Sequence, residues 1–370
     1  MERIPFSKPS INQDDIDAVS DVMRSGWLTI GNEVASFEQE LAERLGVEYV
    51  ICVDSCTSAL TLAIESYMPF SGKICIPALS FIATANTVVK AGGENNLVFC
   101  DVGCDGNINP NKIPKDAEIV IPVHYAGQPC NMDDIVFGRT VIEDAAHAFG
   151  ATYNNAIVGA ASYRDYQTTC CFSFYPTKPM TTGEGGCITT NYERIANYAR
   201  SMSLHGLSAG HANRYERSSR NHPVVEQRPG YKMNMTNIAA ALGRQQLKRL
   251  DYMLAARRKI VARYQDELWS TVECLPFADF TGHAWHIFVI LVDNRDDVAQ
   301  KLDSLGIGTG VHYNPPLHLH PWYQKKYGHV TGDFPVAERI AKRCLSLPLF
   351  PDMTDQQVER VIKAVKSIVG

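Results

Sequence analysis

YVICVDSCTSALTLAIESY, residues 49–67, sets the reading of the whole chain. Its first five residues are almost continuously apolar, as a strand covered on both faces should be. Leu60, Ala63, Ile64 and Tyr67 then fall at i, i+3, i+4 and i+7, one stripe of a helix. Between the two stands DSCTSAL (54–60), with the small hydroxyl residues Ser55, Thr57 and Ser58 at the junction. A helix N-terminus presents unpaired N–H groups and a partial positive charge, which suits a phosphate. An ordinary Ser/Thr cap is the commoner explanation of any single such turn.

The same alternation extends outward. KICIP (73–77), LVFCDV (97–102), EIVIPVHY (118–125), TVIEDAA (140–146), CCFSFY (170–175) and GCITT (186–190) read as further strands, with helical stretches between several of them. Alternating signals of this kind indicate an α/β layer fold with a mostly parallel central sheet. Beyond residue 190 the texture changes. A helix is expected over 192–204, then a polar stretch without periodicity over 205–230, then a long helical region from Met235 to Leu268. The remainder offers a strand (286–292), a helix (296–305), a Pro- and His-rich loop (312–323) and a final helix (354–369), enough for a smaller α+β domain. We therefore expect a large α/β domain over 1–245, including the N-terminal segment, and a small one over 246–370.

Composition narrows the function classes. Of 370 residues, 45% are hydrophobic and 20% charged, which argues against disorder and fibre. The net charge of −5 lacks the footprint of a dedicated nucleic-acid binder. No apolar run reaches the ~18–20 residues a membrane helix needs, and MERIPFSKPSINQDD lacks the apolar core of a secretory signal. Eleven cysteines without a CxxC pair suggest neither a disulfide scaffold nor a zinc cage. The expectation is a soluble cytoplasmic protein with no metal.

Two more segments carry chemistry. IEDAAHAFG (142–150) ends a buried strand in an acidic pair, so Asp144 would sit at a strand's carboxyl end, where open α/β sheets bind ligands. A carboxylate capping the next helix is the plain alternative, and His147 reads equally as a packed core histidine. CCFSFYPTKPMTTGEGG (170–186) runs from a strand into a Pro-bounded turn holding Lys178. A lysine there is poorly placed for a solvated role, and desolvation makes such an amine a Schiff-base nucleophile. GEGG opens no helix, which excludes a dinucleotide fingerprint. Phosphate anchor, strand-end aspartate and lysine are together the parts that hold pyridoxal phosphate.

At these residues the chain resembles the sugar aminotransferases of the DegT/DnrJ/EryC1/StrS family, which aminate nucleotide-linked keto-sugars. The likeness is near full length. It begins at SGWLTIGNEVASFEQELAERLGV (25–47) and runs through PALSFIATANTVVKAGG (77–93), IPVHYAGQPCNMDDI (121–135) and GYKMNMTNIAAALGRQQLKRLD (230–251). It ends with HYNPPLHLHPWY (312–323) and SLPLFPDMTDQQVERVI (346–362). The resemblance implies the PLP-dependent transferase fold type I, aspartate aminotransferase-like, with pyridoxal 5'-phosphate (PLP/PMP) as cofactor. It makes Lys178 the cofactor lysine and proton shuttle, and Asp144 the partner of the ring nitrogen. Phe81 falls where an aromatic side chain stacks on the ring, and His147 beside the ring hydroxyl. Thr57, Ser58 and Ser173 match phosphate ligands. Asn234 matches an asparagine that reaches the neighbouring subunit's cofactor, which implies a homodimer with shared sites. Cys56 departs from the family by replacing a glycine, and Pro179 by replacing a common asparagine.

The activity implied is ping-pong transfer of an amino group from L-glutamate to a nucleotide-linked keto-deoxysugar, with a 4-keto-6-deoxyhexose as first choice. A dehydratase on the same scaffold and a catalytically silent, ligand-binding regulator are the rivals; Lys178, where dehydratases carry histidine, favours transamination. For the substrate, Trp27, Thr29, Tyr313, His318 and Arg228 are candidates. The stretch 205–230 reads as a lid carrying Arg214, Arg217, Arg220 and Arg228 towards a diphosphate, or as a solvated loop. Arg257, Arg258 and Lys259 read as the solvated face of the long helix.

Overall fold

The computed structural model describes residues 2–136, 138–160, 162–163, 166–207, 224–225 and 228–370. All seven apolar runs become strands of one sheet: β1 (Tyr49–Val53), β2 (Lys73–Pro77), β3 (Leu97–Cys100), β4 (Ala117–Val120) and β5 (Thr140–Asp144), then, beyond two small hairpins, β10 (Thr169–Ser173) and β11 (Gly186–Thr190). The hairpins are β6–β7 (Thr152–Tyr153, Ala156–Ile157) and β8–β9 (Ser162–Tyr163, Tyr166–Gln167). The sheet order is β1-β11-β10-β5-β4-β2-β3. Only β11 runs against its neighbours, because a turn without a helix returns the chain directly after β10; Phe174 N–H donates to Gly185 O (2.9 Å) and Thr182 N–H to Phe174 O (2.9 Å). The other neighbours are parallel.

Alternation along each strand divides the core. Ile51, Val53, Ile74, Ile76 and Ile188 pack with Leu60, Ala63 and Ile64 on one face. Val50, Cys52, Cys170, Phe172 and Cys187 pack on the other with Phe37, Phe149, Leu250 and Leu254. Burial on both faces explains why these strands read as unbroken apolar runs. Helix α1 spans Gln13–Ser25, α2 Asn32–Leu45, α3 Cys56–Glu65 and α4 Ile82–Val88. Ser55 caps α3, its hydroxyl accepting the Ser58 N–H at 3.1 Å, a contribution of about 1 kcal/mol. Where α3 and β11 meet there is room for glycine alone: a Cβ on Gly186 would stand 2.5 Å from both Cys56 N and Phe172 O.

The expected helical region 235–268 is two helices, Asn237–Lys248 and Leu250–Leu268, broken at Arg249. The second joins the two halves of the molecule. Leu250 and Leu254 pack under the large sheet, whereas Ile260, Tyr264 and Leu268 pack with Phe288, Ile290 and the helix Asp355–Val369. A second, antiparallel sheet orders β12 (Glu273–Cys274), β13 (Phe288–Leu291) and β14 (Cys344–Leu347). The expected Pro- and His-rich loop runs at its end into a short helix, Pro321–Tyr327, which is followed by Pro335–Arg343.

The first residues of the N-terminal segment, expected with the large domain, pack instead against the C-terminal part of the chain. Ile4 exchanges backbone hydrogen bonds with Gly306 O and Gly308 N, 2.8 Å each, and its side chain lies among Phe288, Ile307 and Val361. Arg257 needs a second correction. It is 2% exposed, and its Nη1 donates to the carbonyls of Trp285, His286 and Leu349. Beside it Arg258 is half-buried, and Lys259 is solvated, its side chain 74% exposed.

Candidate active site

Because β1, β2, β4, β5 and β10 run in one direction, their carboxyl ends share an edge. That edge gathers the start of α3, Phe81 ahead of α4, Asp144, Ser173 and the turn holding Lys178. The acidic pair at the end of β5 splits across the sheet as strand alternation requires. Glu143 turns to a fully buried His124 (2.8 Å) and accepts from Thr168 Oγ1 (2.6 Å). His124 Nδ1 accepts the Cys130 N–H at 3.0 Å, so Nε2 carries the proton that His124 donates to Glu143. Asp144 faces the other way. Its Oδ2 accepts from Thr84 Oγ1 (2.7 Å) and its Oδ1 from the Ala146 N–H (3.2 Å). A carboxylate has about four acceptor positions, so room for a further donor remains. Burial raises the Asp144 pKa, opposed by the Thr84 and Ala146 bonds and by the charge of Lys178.

Lys178 is half-buried, its N–H bonded to Tyr175 O at 2.9 Å. Desolvation pulls its ammonium down to about 8, against the charge of Asp144. Cys56 points its thiol at Cys171 O (3.6 Å), and burial pushes that thiol well up. The side chain replacing glycine is therefore turned into the sheet.

His147 is buried and bonded through Nε2 to Tyr313 OH at 2.9 Å. Its Nδ1 is buried and unpartnered, and burial, then the Lys178 and His312 charges, hold it neutral. The His286 ring lies 4.4 Å away. Phe81, 53% exposed, has its ring 5.7 Å from Tyr313. Tyr313 thus reaches the site from the small domain's loop, which is anchored by Leu317 N–H to Ala78 O (2.8 Å). Sequence reasoning missed Thr84, Ser80 and His286; the signal for the first two is a pair of hydroxyl residues four apart at the opening of a helix, in SFIATAN.

The other expected residues divide. Ser173 Oγ accepts from Tyr175 N–H (3.4 Å), leaving its own proton to donate. Thr57 is exposed at the start of α3. The Ser58 hydroxyl donates to Asp54 Oδ1 at 2.5 Å, so a phosphate would have to draw it away. Asn234 lies on the same edge, its backbone bridged to Val53, with its amide engaged by Lys232 and Met235 O. Trp27 donates from its indole to Ile30 O (2.9 Å), and Trp27 O and Thr29 O accept from Asn237. Arg228 is an ion-pair partner of buried Glu65 and also meets Tyr198. His318 is fully buried against Glu338 (3.1 Å) and Phe334, packed below the surface rather than facing a ligand. Arg214, Arg217 and Arg220 lie outside the described residues.

The residues present fit pyridoxal phosphate: an amine with depressed pKa, a carboxylate with acceptor room, an unpartnered ring nitrogen and a helix start on one sheet edge. Fold and site define a pyridoxal-phosphate-dependent sugar aminotransferase of fold type I. The chain belongs to the DegT/DnrJ/EryC1/StrS aminotransferase family, whose model matches residues 9–366. It is 40% identical to the spore coat polysaccharide biosynthesis protein SpsC of Bacillus subtilis, over 99% of this chain and 97% of that one. Spr1654 of Streptococcus pneumoniae in its PLP form is 27% identical, with a TM-score of 0.87 over 99% of this chain and 98% of that one. PseC of Helicobacter pylori, an aminotransferase involved in pseudoaminic acid biosynthesis, matches in fold, with a TM-score of 0.89 at 24% identity over 100% and 99%. Among the described residues no helix is long and apolar enough to cross a membrane.

Proposed function

We propose that this chain transfers an amino group from L-glutamate to a nucleotide-linked keto-deoxysugar, with a 4-keto-6-deoxyhexose as the preferred acceptor. The observation that carries the reading is Lys178, a half-buried amine pulled down to about 8 beside Asp144. When bound, pyridoxal phosphate supplies an electron sink for breaking a bond at the amine-bearing carbon. Lys178 would hold it and, in each half-reaction, serve as general acid and base for the 1,3-proton shift between the substrate's amine-bearing carbon and the cofactor. Asp144 would keep the ring nitrogen protonated, His147 would meet the ring hydroxyl through a ring nitrogen, and Phe81 would cover the ring. Thr57, Ser58, Ser173 and the N–H groups opening α3 would take the phosphate.

A ping-pong order follows from one amine serving both half-reactions. Exposed Phe81, Ile82 and Tyr175 surround the edge, and a second copy covering them, with Asn234 reaching across, would complete the site as a homodimer. All eleven cysteines are free thiols, which suits a reducing, cytoplasmic compartment.

The test is a visible spectrum of the chain loaded with pyridoxal phosphate, first with L-glutamate and then with 4-keto and 3-keto nucleotide sugars. Glutamate should bleach the band and one keto-sugar should restore it. A band that forms yet ignores every amino donor would remove amino transfer; one consumed without proportional 2-oxoglutarate would indicate dehydration.

A further inference from the structure

An aspartate serving a ring nitrogen has to stay ionised and aimed, and the surroundings of Asp144 work against the first requirement. It is 5% exposed, and burial raises its pKa. Something fixed must therefore favour the carboxylate. The shortest bond to its side chain comes from Thr84, a residue with no exposed surface on α4, sixty positions away in sequence.

The direction of this bond can be worked out. Thr84 Oγ1 lies 2.7 Å from Asp144 Oδ2 and 2.7 Å from Ser80 Oγ. A hydroxyl has one proton, and an ionised carboxylate can only accept. Thr84 thus donates to Asp144, and Ser80 must donate to Thr84. The two bonds run head to tail towards the carboxylate, and each strengthens the other. Helical threonines ordinarily bond a carbonyl of their own helix, as Thr87 does with Thr84 O at 3.0 Å. Thr84 departs from that habit.

We propose that Thr84, backed by Ser80, is a positioning residue that holds the Asp144 carboxylate ionised and oriented for the cofactor's ring nitrogen. The role rests on the amino-transfer reading above. Other groups face Asp144 as well: Lys178 from the turn after β10, His124 from the segment after β4, Cys56 from α3, Cys171 from β10, Cys130, and Tyr313 from the small domain's loop. The three thiols and the phenol are pushed up by burial and remain neutral. Lys178 stays protonated well below pH 8, so its charge on Asp144 is constant over the acid range.

The experiment compares wild type with Thr84→Val, Thr84→Ser and Ser80→Ala. In cofactor-free protein the Asp144 carboxyl is titrated by carbon-13 NMR, with Asp144→Asn to assign the signal. Retention of added pyridoxal phosphate is then measured across the same pH range by dialysis. Thr84→Val should titrate ~1–2 pH units higher, the worth of one hydrogen bond to a charge. The acid limb of cofactor retention should move with it, Thr84→Ser should restore both, and Ser80→Ala should shift both less. A wild type that retains the cofactor while Thr84→Val titrates unchanged overturns this role alone. A wild type that takes up no pyridoxal phosphate overturns the amino-transfer reading and the role with it. Should Thr84→Val not fold, Ser80→Ala decides, since it leaves the direct bond in place; an unchanged titration there overturns the relay.

Discussion

Lys178 shows how far a single residue could be read in advance. Its place between a buried strand and a Pro-bounded turn told of desolvation, and its pKa is indeed pulled down, to about 8. The consequence has a definite sign. Capture of pyridoxal phosphate needs the neutral amine, so its initial rate should climb ~tenfold per pH unit below about 8 and level off above. A stopped-flow pH profile still climbing at about pH 10 would mean an ordinary, solvated lysine. Arg257 marks the limit of the same kind of reasoning. Three consecutive basic residues on a helix point about 100° apart, so RRK cannot all face water on a helix with one buried stripe. Arg257 continues the stripe of Met253, Leu254, Ile260, Val261 and Tyr264, a spacing visible in the sequence but outweighed there by its charge. What the sequence could not show is the set of three carbonyls that makes its burial tolerable, because they come from residues 28 to 92 positions away.

Among elements, the strands were the most legible, since burial on both faces leaves a mark on every residue. The ends of the elements were less so. EIVIPVHY reads as one strand to 125, but β4 stops at Val120, and the following residues form the bend that brings His124 under Glu143. The helix that begins inside the expected 312–323 loop was hidden because proline and histidine suggest loop, although proline suits the first turn of a helix and opens both Pro321–Tyr327 and Pro335–Arg343. The contact between β11 and the start of α3 was equally silent in GEGG, where glycine reads as a turn residue. Gly186→Ala should displace that contact. Its Cβ would meet main-chain atoms of Ser55, Cys56 and Phe172, none of them able to swing aside. An unfolding free energy lowered by about 1–3 kcal/mol, together with looser retention of pyridoxal phosphate, is the expected result of urea titration and dialysis. Unchanged values in both would show that α3 is not held by this approach.

At the scale of the molecule, the sequence reads as a larger body over 1–245 and a smaller one over 246–370, and the packing of the first residues crosses that line. Nothing in MERIPFSKPS announces which core Ile4 enters, because a single apolar residue fits either. Its partners Gly306 and Gly308 are some 300 positions away, and Arg360 Nη1 adds a bond to Glu2 O at 2.7 Å. Taken with the expected division at 245/246, residues 2–6 beside the last helix make the small body discontinuous, and the chain crosses between the two bodies twice. A protease that cuts one crossing would release no domain. The nicked chain should run as two pieces on a denaturing gel and as one particle on a sizing column, and separation on the column would contradict this packing. The large body is in effect a loop tied off at its base, and its neck can be opened only by two cuts or by unfolding what ties it.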